Sequence, residues 1–201
     1  MLKRLFDICL SSAGIIGSSP LWILFSLAIL LEDGWPIFHF QERVGKKGRI
    51  FRAMKFRSMV KDAEKDTGPV QAVENDPRVT KVGRLLRATA MDELPQIVNI
   101  LKGDMSFVGP RALRPREKEV HGNPGQVNIE DIPGYKERLA VRPGLTGMAQ
   151  VYLPTDALRR EKFKLDLQYI KNQSFLLDLK LIFLSFWITF RGKWESREKK
   201  V

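Results

Sequence analysis

The run Arg84-Leu-Leu-Arg-Ala-Thr-Ala-Met-Asp-Glu-Leu-Pro-Gln96 is the densest set of residues able to do chemistry in this chain. Asp92 and Glu93 are adjacent carboxylates, and Arg87, shortly before them, is a forked cation suited to gripping phosphate oxygens. Pro95 is tolerated in the first turn of a helix, which makes Asp92 the expected N-cap of that helix. Bare amides and the positive end of the helix dipole would keep Asp92 ionised and draw a phosphate to the same spot. The two carboxylates beside an arginine could also share Mg²⁺, which keeps several waters and needs few protein ligands. The bland alternative stands beside this: Asp at an N-cap and Glu in a first turn are ordinary helix chemistry.

Three further runs place a cation next to residues that fix or free the backbone, as an anion cradle requires: Lys55-Phe-Arg57, Gly109-Pro-Arg111 and Arg142-Pro143-Gly144-Leu-Thr-Gly147. Each alone reads equally as a turn or a solvated charge. The chain has no Walker A loop, no Gly-x-Gly-x-x-Gly and no Gly-x-Ser-x-Gly, so nucleotide-kinase, dinucleotide and serine-hydrolase readings lack their residues. One cysteine, Cys9, excludes an internal disulfide, and two histidines, His39 and His121, cannot build a His/Cys metal centre.

The elements that must position these groups begin with Ile8 to Leu31, an uncharged apolar run long enough to cross a bilayer. It is too long for a signal-peptide core and leads into Glu32, Asp33 and Gly34 instead of a cleavage site. Lys3 and Arg4 precede it, and nearly all other basic residues of a chain with net charge +11 follow it. A single span would strand basic residues on both sides, so the positive-inside rule favours both ends on one side. Ser19-Pro20 lies mid-run, where proline removes a backbone donor and a serine hydroxyl can satisfy freed groups. From the residues, a re-entrant hairpin turning at Pro20 and a kinked span are both open. A second apolar stretch, Phe175 to Phe190, is either a buried core helix or a helix lying in the membrane interface. Trp187, Trp194 and the basic tail favour the latter.

With 201 residues the rest makes one domain. Two short strands are expected around Ile37/His39 and Ile50/Phe51, joined by a Gly-Lys-Lys-Gly turn. Residues 60 to 80, with Asp66-Thr-Gly-Pro69 and Asn75-Asp-Pro77, read as a loop, and Arg114 to Tyr135 reads as irregular. Helices are expected from Val79 to Ala90, from Leu94 to Leu101 with Gly103 as its stop, and from Asp156 to Leu176.

Asp76-Pro-Arg-Val-Thr-Lys-Val-Gly83, Leu86-Arg-Ala-Thr-Ala-Met-Asp-Glu-Leu-Pro-Gln96 and Leu101-Lys-Gly-Asp-Met-Ser-Phe-Val-Gly-Pro-Arg111 closely resemble the bacterial monotopic phosphoglycosyl transferases. The likeness extends through Val141-Arg-Pro-Gly-Leu-Thr-Gly-Met-Ala-Gln-Val151, Ser174-Phe-Leu-Leu-Asp-Leu-Lys180, Lys3-Arg4, Phe6-Asp7 and Ser19-Pro20, covering nearly the whole chain, as in the minimal catalytic form. The resemblance implies an α+β fold, mostly helical with a small β-hairpin, an N-terminal re-entrant helix-break-helix (residues 1–33), a catalytic domain with interfacial amphipathic helices (34–190) and a basic tail (191–201). It implies transfer of a sugar-1-phosphate from a UDP-sugar to polyprenol (undecaprenyl) phosphate at the cytoplasmic face of the bacterial inner membrane, with Mg²⁺, release of UMP and a covalent phosphoaspartyl-sugar intermediate. Asp92 holds the position of the nucleophile and Glu93 that of its acidic partner, the pair also holding the metal. Lys55, Arg87, Arg111, Arg142, Pro143 and Asp166 fall at positions expected to contact phosphate or uridine or to support the pair. One departure stands out. Many relatives follow Ala-Gln-Val with Asn-Gly-Arg-Asn, whereas here Val151-Tyr-Leu-Pro-Thr-Asp156 follows, with Arg159 or Arg160 as the nearest substitutes; Met148 also stands where Trp is common.

The expected partners are the UDP-sugar, undecaprenyl phosphate and an anionic lipid membrane, with a homodimer left open. Nucleic acid is not expected, because the aromatic residues concentrate in the apolar stretches instead of interleaving with basic ones. The rival readings are a membrane-anchored nucleotide-sugar hydrolase or phosphatase using the same acidic pair, and a non-enzymatic basic membrane-binding protein in which Asp92 is only a cap.

Overall fold

Residues Leu2–Asp33 form one long helix, α1, in the computed structural model, which describes residues 2–63, 65, 76–117, 127–192, 194, 196 and 200. The helix runs through Pro20 without interruption, so the expected break at Ser19-Pro20 is corrected. The reason is local. Pro20 cannot donate to Ile16 O four residues earlier, and Ser19 Oγ donates to that same carbonyl at 2.8 Å. Ser18 Oγ reinforces the turn above by donating to Gly14 O at 2.6 Å, and Trp22 Nε1 donates to Ser18 Oγ at 3.0 Å. By length and composition α1 could cross a membrane. Yet both of its ends are bonded to the domain that follows: Arg4 to Ile100 and Leu101 at one end, Glu32 to Lys81 and Val82 at the other.

The expected hairpin is present. β1 (Phe38–Val44) pairs antiparallel with β2 (Ile50–Phe56), with Phe38 opposite Phe56, His39 opposite Lys55 and Val44 opposite Ile50. Phe56 is buried against Ile29 of α1, with Trp22, Phe25 and Phe38 around it, so the hairpin seats the C-terminal half of α1. α2 (Lys81–Ala88) starts at the N-cap Thr80, whose Oγ1 accepts from Gly83 N at 2.9 Å. A 3-10 turn, Met91–Glu93, leads into α3 (Gln96–Lys102), which Gly103 ends in the left-handed region at φ 94.

Two short strands were not expected from sequence. β3 (Ser106–Val108) pairs in parallel with β4 (Gly144–Thr146), Ser106 opposite Gly144 and Val108 opposite Thr146. Between them lies α4 (Tyr135–Arg138), and after them α5 (Met148–Tyr152). The charged helix expected from Asp156 to Leu176 is shorter, α6 (Arg159–Lys171), and the expected apolar helix follows as α7 (Phe175–Phe190), capped by Ser174 Oγ accepting from Leu177 N at 3.2 Å. Asp178, Leu181 and Ile188 of α7 are buried against Val108, Val151 and Tyr169, while Leu176, Phe183, Phe186 and Phe190 are 70–86% exposed. The helix is thus a core element on one face and an outward apolar stripe on the other. Asp66-Thr-Gly-Pro69, Asn75, Pro124, Gly125 and most of the tail lie outside the described residues.

Candidate active site

The acidic pair sits in the 3-10 turn between α2 and α3. Ala90, at φ 56, turns the chain through the left-handed region, and Glu93 N donates back to Ala90 O at 3.1 Å. Asp92 does not cap α3, which corrects the sequence expectation: the N-cap position is Pro95, with no side-chain cap bond. Asp92 lies instead in the 3-10 turn that leads through Leu94 and Pro95 into α3.

Glu93 is 6% exposed and takes both neighbouring cations. Lys55 Nζ, from the end of β2, donates to Glu93 Oε1 at 2.6 Å, and Arg111 Nη2 to the same oxygen at 2.8 Å, with Nη1 at 3.5 Å from Oε2. Lys55 Nζ also lies 3.9 Å from Asp92 Oδ2. Burial pushes the Glu93 carboxyl up, but the opposing charges of Arg111 and Lys55 and their hydrogen bonds win and hold it well below the usual carboxylate range. Glu93 in turn raises the guanidinium of Arg111. Sequence reasoning missed Arg43 of β1, which stands behind Arg111. Burial first, and the Arg111 charge second, lower it to about 10, and its Nη1 donates to Ala112 O at 2.8 Å.

Asp166 reaches the site through another unforeseen residue. Arg138 of α4 donates from Nε to Asp166 Oδ2 at 2.7 Å and from Nη2 to Arg111 O at 2.8 Å, with its guanidinium stacked 4.2 Å from the centre of the Phe163 ring. Asp166 thus orients Arg138, which fixes the backbone that carries Arg111. The only sequence signal for Arg138 was an arginine on a four-residue helical turn, too common to single out.

The two glycine-rich runs meet each other. Gly109 N donates to Thr146 O and Gly144 N to Pro110 O, both at 2.9 Å, and a Cβ on Gly144 would lie 2.1 Å from Gly109 N. These amides are spent on a backbone crossing, so the expected phosphate cradle becomes a close-packed scaffold whose product is the position of Arg111. Arg142 Nε donates to Gly103 O at 2.8 Å, at the far end of α3 from Glu93, whereas Pro143 lines a shallow groove with Arg111, Tyr135 and Arg138. Arg87 lies in the last turn of α2, directly before the acidic turn. Arg57 turns away to α1, donating to Asp33 O and Gly34 O at 2.7 Å. Of the two substitutes for the absent arginine, Arg159 is paired with Glu117 at 2.5 Å and Arg160 is exposed on α6.

Among the described residues no group of three or more His, Cys, Asp or Glu side chains could hold a metal. The two carboxylates of the turn fit Mg²⁺ only if other ligands come from water and phosphate, which is how this ion is commonly held. Glu93 Oε2, 3.5 Å from Arg111 Nη1, and the Asp92 carboxylate are the oxygens of the turn whose chemistry suits that ion.

The model of the bacterial sugar transferase family matches residues 1–192. The chain is 40% identical over 190 residues to the exopolysaccharide production protein PSS of Rhizobium leguminosarum bv. phaseoli, covering 91% of this chain and 92% of that one. It is 39% identical over 198 residues to the UDP-glucose:undecaprenyl-phosphate glucose-1-phosphate transferase of Escherichia coli K12, covering 96% of this chain but 41% of that protein. It is 40% identical over 189 residues to the undecaprenyl-phosphate glucose phosphotransferase of Komagataeibacter xylinus, covering 91% of this chain and 35% of that protein. This chain belongs to the bacterial sugar transferase family. It spans nearly all of one such relative and well under half of the two others.

Proposed function

We propose that this protein transfers a sugar-1-phosphate from a UDP-sugar to undecaprenyl phosphate at the cytoplasmic face of the bacterial inner membrane, releasing UMP. The observation that carries this reading is the gathering of cations at two adjacent carboxylates. Lys55 and Arg111 meet Glu93 Oε1 at 2.6 and 2.8 Å, and Lys55 Nζ also lies 3.9 Å from Asp92 Oδ2. Asp92 is then the nucleophile and Glu93 the fixed anion that keeps Lys55 and Arg111 aimed at the phosphate site.

In the first half-reaction an Asp92 carboxylate oxygen attacks the β-phosphorus of the UDP-sugar. The bond to the bridging oxygen breaks, and UMP leaves with the electron pair. In the second, a phosphate oxygen of undecaprenyl phosphate attacks the same phosphorus and Asp92 departs, so the two substrates take turns at one carboxylate. Lys55 and Arg111 stabilise charge on the transferring group. Asp92 and Glu93 would hold Mg²⁺, which when bound would neutralise charge on the diphosphate and the leaving UMP.

The membrane placement follows from α1 and α7. Both ends of α1 are bonded to one domain, which supports a placement with both ends on one side of the membrane. The outward stripe of α7 supports an interfacial position, with anionic lipid attracted by the basic surface. The test is UMP release by the detergent-solubilised protein with a panel of UDP-sugars, Mg²⁺ and undecaprenyl phosphate. Lipid-dependent release that vanishes in Asp92→Asn is the expected result. Release without lipid would mean a hydrolase, and no release from any donor would overturn the reading.

A further inference from the structure

The membrane helix grips both helices that flank the acidic turn. Residues 89–95, which carry Asp92 and Glu93, are bounded by α2 before and α3 after. At one end of α1, Arg4 donates from Nη1 to Ile100 O at 2.6 Å and from Nη2 to Leu101 O at 2.8 Å. These are carbonyls of the last turn of α3, Ile100 O also accepting from Gly103 N at 3.0 Å. Nearby, a Cβ on Gly14 would touch Ile97 Cδ1 at 3.5 Å, so α1 lies against the side of α3 as well as its end. At the other end of α1, Glu32 takes two amides of the first turn of α2, Lys81 N on Oε1 at 2.7 Å and Val82 N on Oε2 at 2.8 Å. Charge favours both contacts: a cation at the negative end of α3 and an anion at the positive end of α2. Ile29, buried with Phe56 and Leu86, packs that second contact down, and α2 and β2 both adjoin the acidic turn.

We infer that Arg4 and Glu32 are positioning residues for phosphoryl transfer, α1 acting as a clamp that sets the separation of α2 and α3 and hence the placement of Asp92 against Lys55 and Arg111. This rests on the transferase reading above. Its physical basis is that a short turn between two rigid helices takes its geometry from where those helices are held, and that small misplacements of a nucleophile are expensive in rate. It also couples catalysis to the bilayer, because the element that sets the turn is the one embedded in lipid. Arg4 is bonded to α3 and Glu32 to α2, and they act through those helices.

The test uses the full chain in nanodiscs with Arg4→Met, Glu32→Ala, Glu32→Asp and the Arg4→Met/Glu32→Ala double variant. Two readouts are taken: steady-state UMP release, and hydrogen exchange of the peptide covering residues 89–95 compared with peptides of α5 and α6. The expected result is a fall in kcat of about tenfold in each single variant with KM for the UDP-sugar unchanged. Exchange should accelerate in 89–95 but not in α5 or α6, and Glu32→Asp should recover part of the loss. Arg4 and Glu32 bond to different helices, so effects on stability alone should combine independently, whereas two jaws on one turn should be non-additive in kcat. Unchanged exchange in 89–95, or a lowered Tm with kcat per folded molecule unaltered, would overturn the inference. If the wild type releases no UMP from any donor, the transferase reading fails, and the exchange pattern alone still decides whether α1 clamps the turn.

Discussion

The acidic run of 84–96 and the glycine crossing of 109–111 with 142–147 look alike as sequence, each mixing arginines with residues that free or fix the backbone. They do opposite work. At the crossing, the amides of Gly109 and Gly144 are already bonded to Thr146 O and Pro110 O, and a Cβ on either glycine would meet backbone within 2.4 Å. Those two amides are not left to offer a phosphate. At the turn, Glu93 gathers Lys55 and Arg111 beside a second carboxylate, so charge is concentrated next to a group that can react. A cation beside a glycine therefore marks an anion site only where the backbone amides are not already committed to each other.

The largest effect separating the two regions should be Asp92→Asn. It keeps shape and turn, and should lower UMP release by about four orders of magnitude while moving stability by less than about 1 kcal/mol. Activity retained near wild type would strip the turn of its chemical role. Gly144→Ala should show the reverse pattern. With Gly109 N at 2.1 Å and Thr146 O at 2.3 Å from the new Cβ, the strands must part, at a cost on the order of 4 kcal/mol. Thermal unfolding reads it: a Tm close to wild type would mean that the crossing is not the scaffold described here.

Much of the frame was legible because it depends on near neighbours. The hairpin around Gly45–Gly48 and the stop of α3 at Gly103 follow from local turn and cap chemistry, and the helix expected from Val79 to Ala90 is present as the shorter α2. The acidic pair stood out in the sequence, and Lys55 and Arg111 are both ion-paired with Glu93. What failed was long-range. The β3–β4 pair joins three-residue strands far apart in sequence, with no alternation long enough to announce them. Arg138 became important only because folding puts it between Asp166 and the Arg111 carbonyl. The uninterrupted α1 was missed for a local reason: Ser19 replaces the hydrogen bond that Pro20 removes, so the helical path survives a residue that normally ends it.

The cations of the turn can be tested separately from its nucleophile. Lys55→Met removes one of the two charges that hold buried Glu93, and should cost about 2 kcal/mol of stability, since Arg111 still satisfies the carboxylate in part. Adding Glu93→Gln should recover some of that loss, and a double variant less stable than Lys55→Met alone would argue against the pairing. Acid titration checks the same pair. The folded pKa of Glu93 lies far below that of an unfolded glutamate, so its contribution is complete above about pH 5. It drains away as pH falls below about 4.3, where the unfolded chain takes up a proton that the folded one refuses. The Tm gap between wild type and Glu93→Gln should accordingly be constant from pH 7 to about 5 and shrink below about 4. A gap that widens in acid would reverse the sign of the shift.

The smallest effect belongs to Arg142, and it bears most directly on how the two regions divide. Its sequence context, before Pro143 and Gly144, suggested a phosphate contact, yet Nε is bonded to Gly103 O, beyond the C-terminal end of α3. Arg4 meets the preceding carbonyls, so two cations converge on one helix end where the backbone dipole is negative. Arg142→Gln keeps a donor but loses the charge, and should cost about 1 kcal/mol of stability with KM for the UDP-sugar unchanged. If instead KM rises several-fold while Tm holds, the side chain reaches substrate, and the crossing carries a binding role after all. An unchanged KM would leave Lys55 and Arg111 as the cations that meet the diphosphate, with the glycine crossing serving to hold the second of them in place.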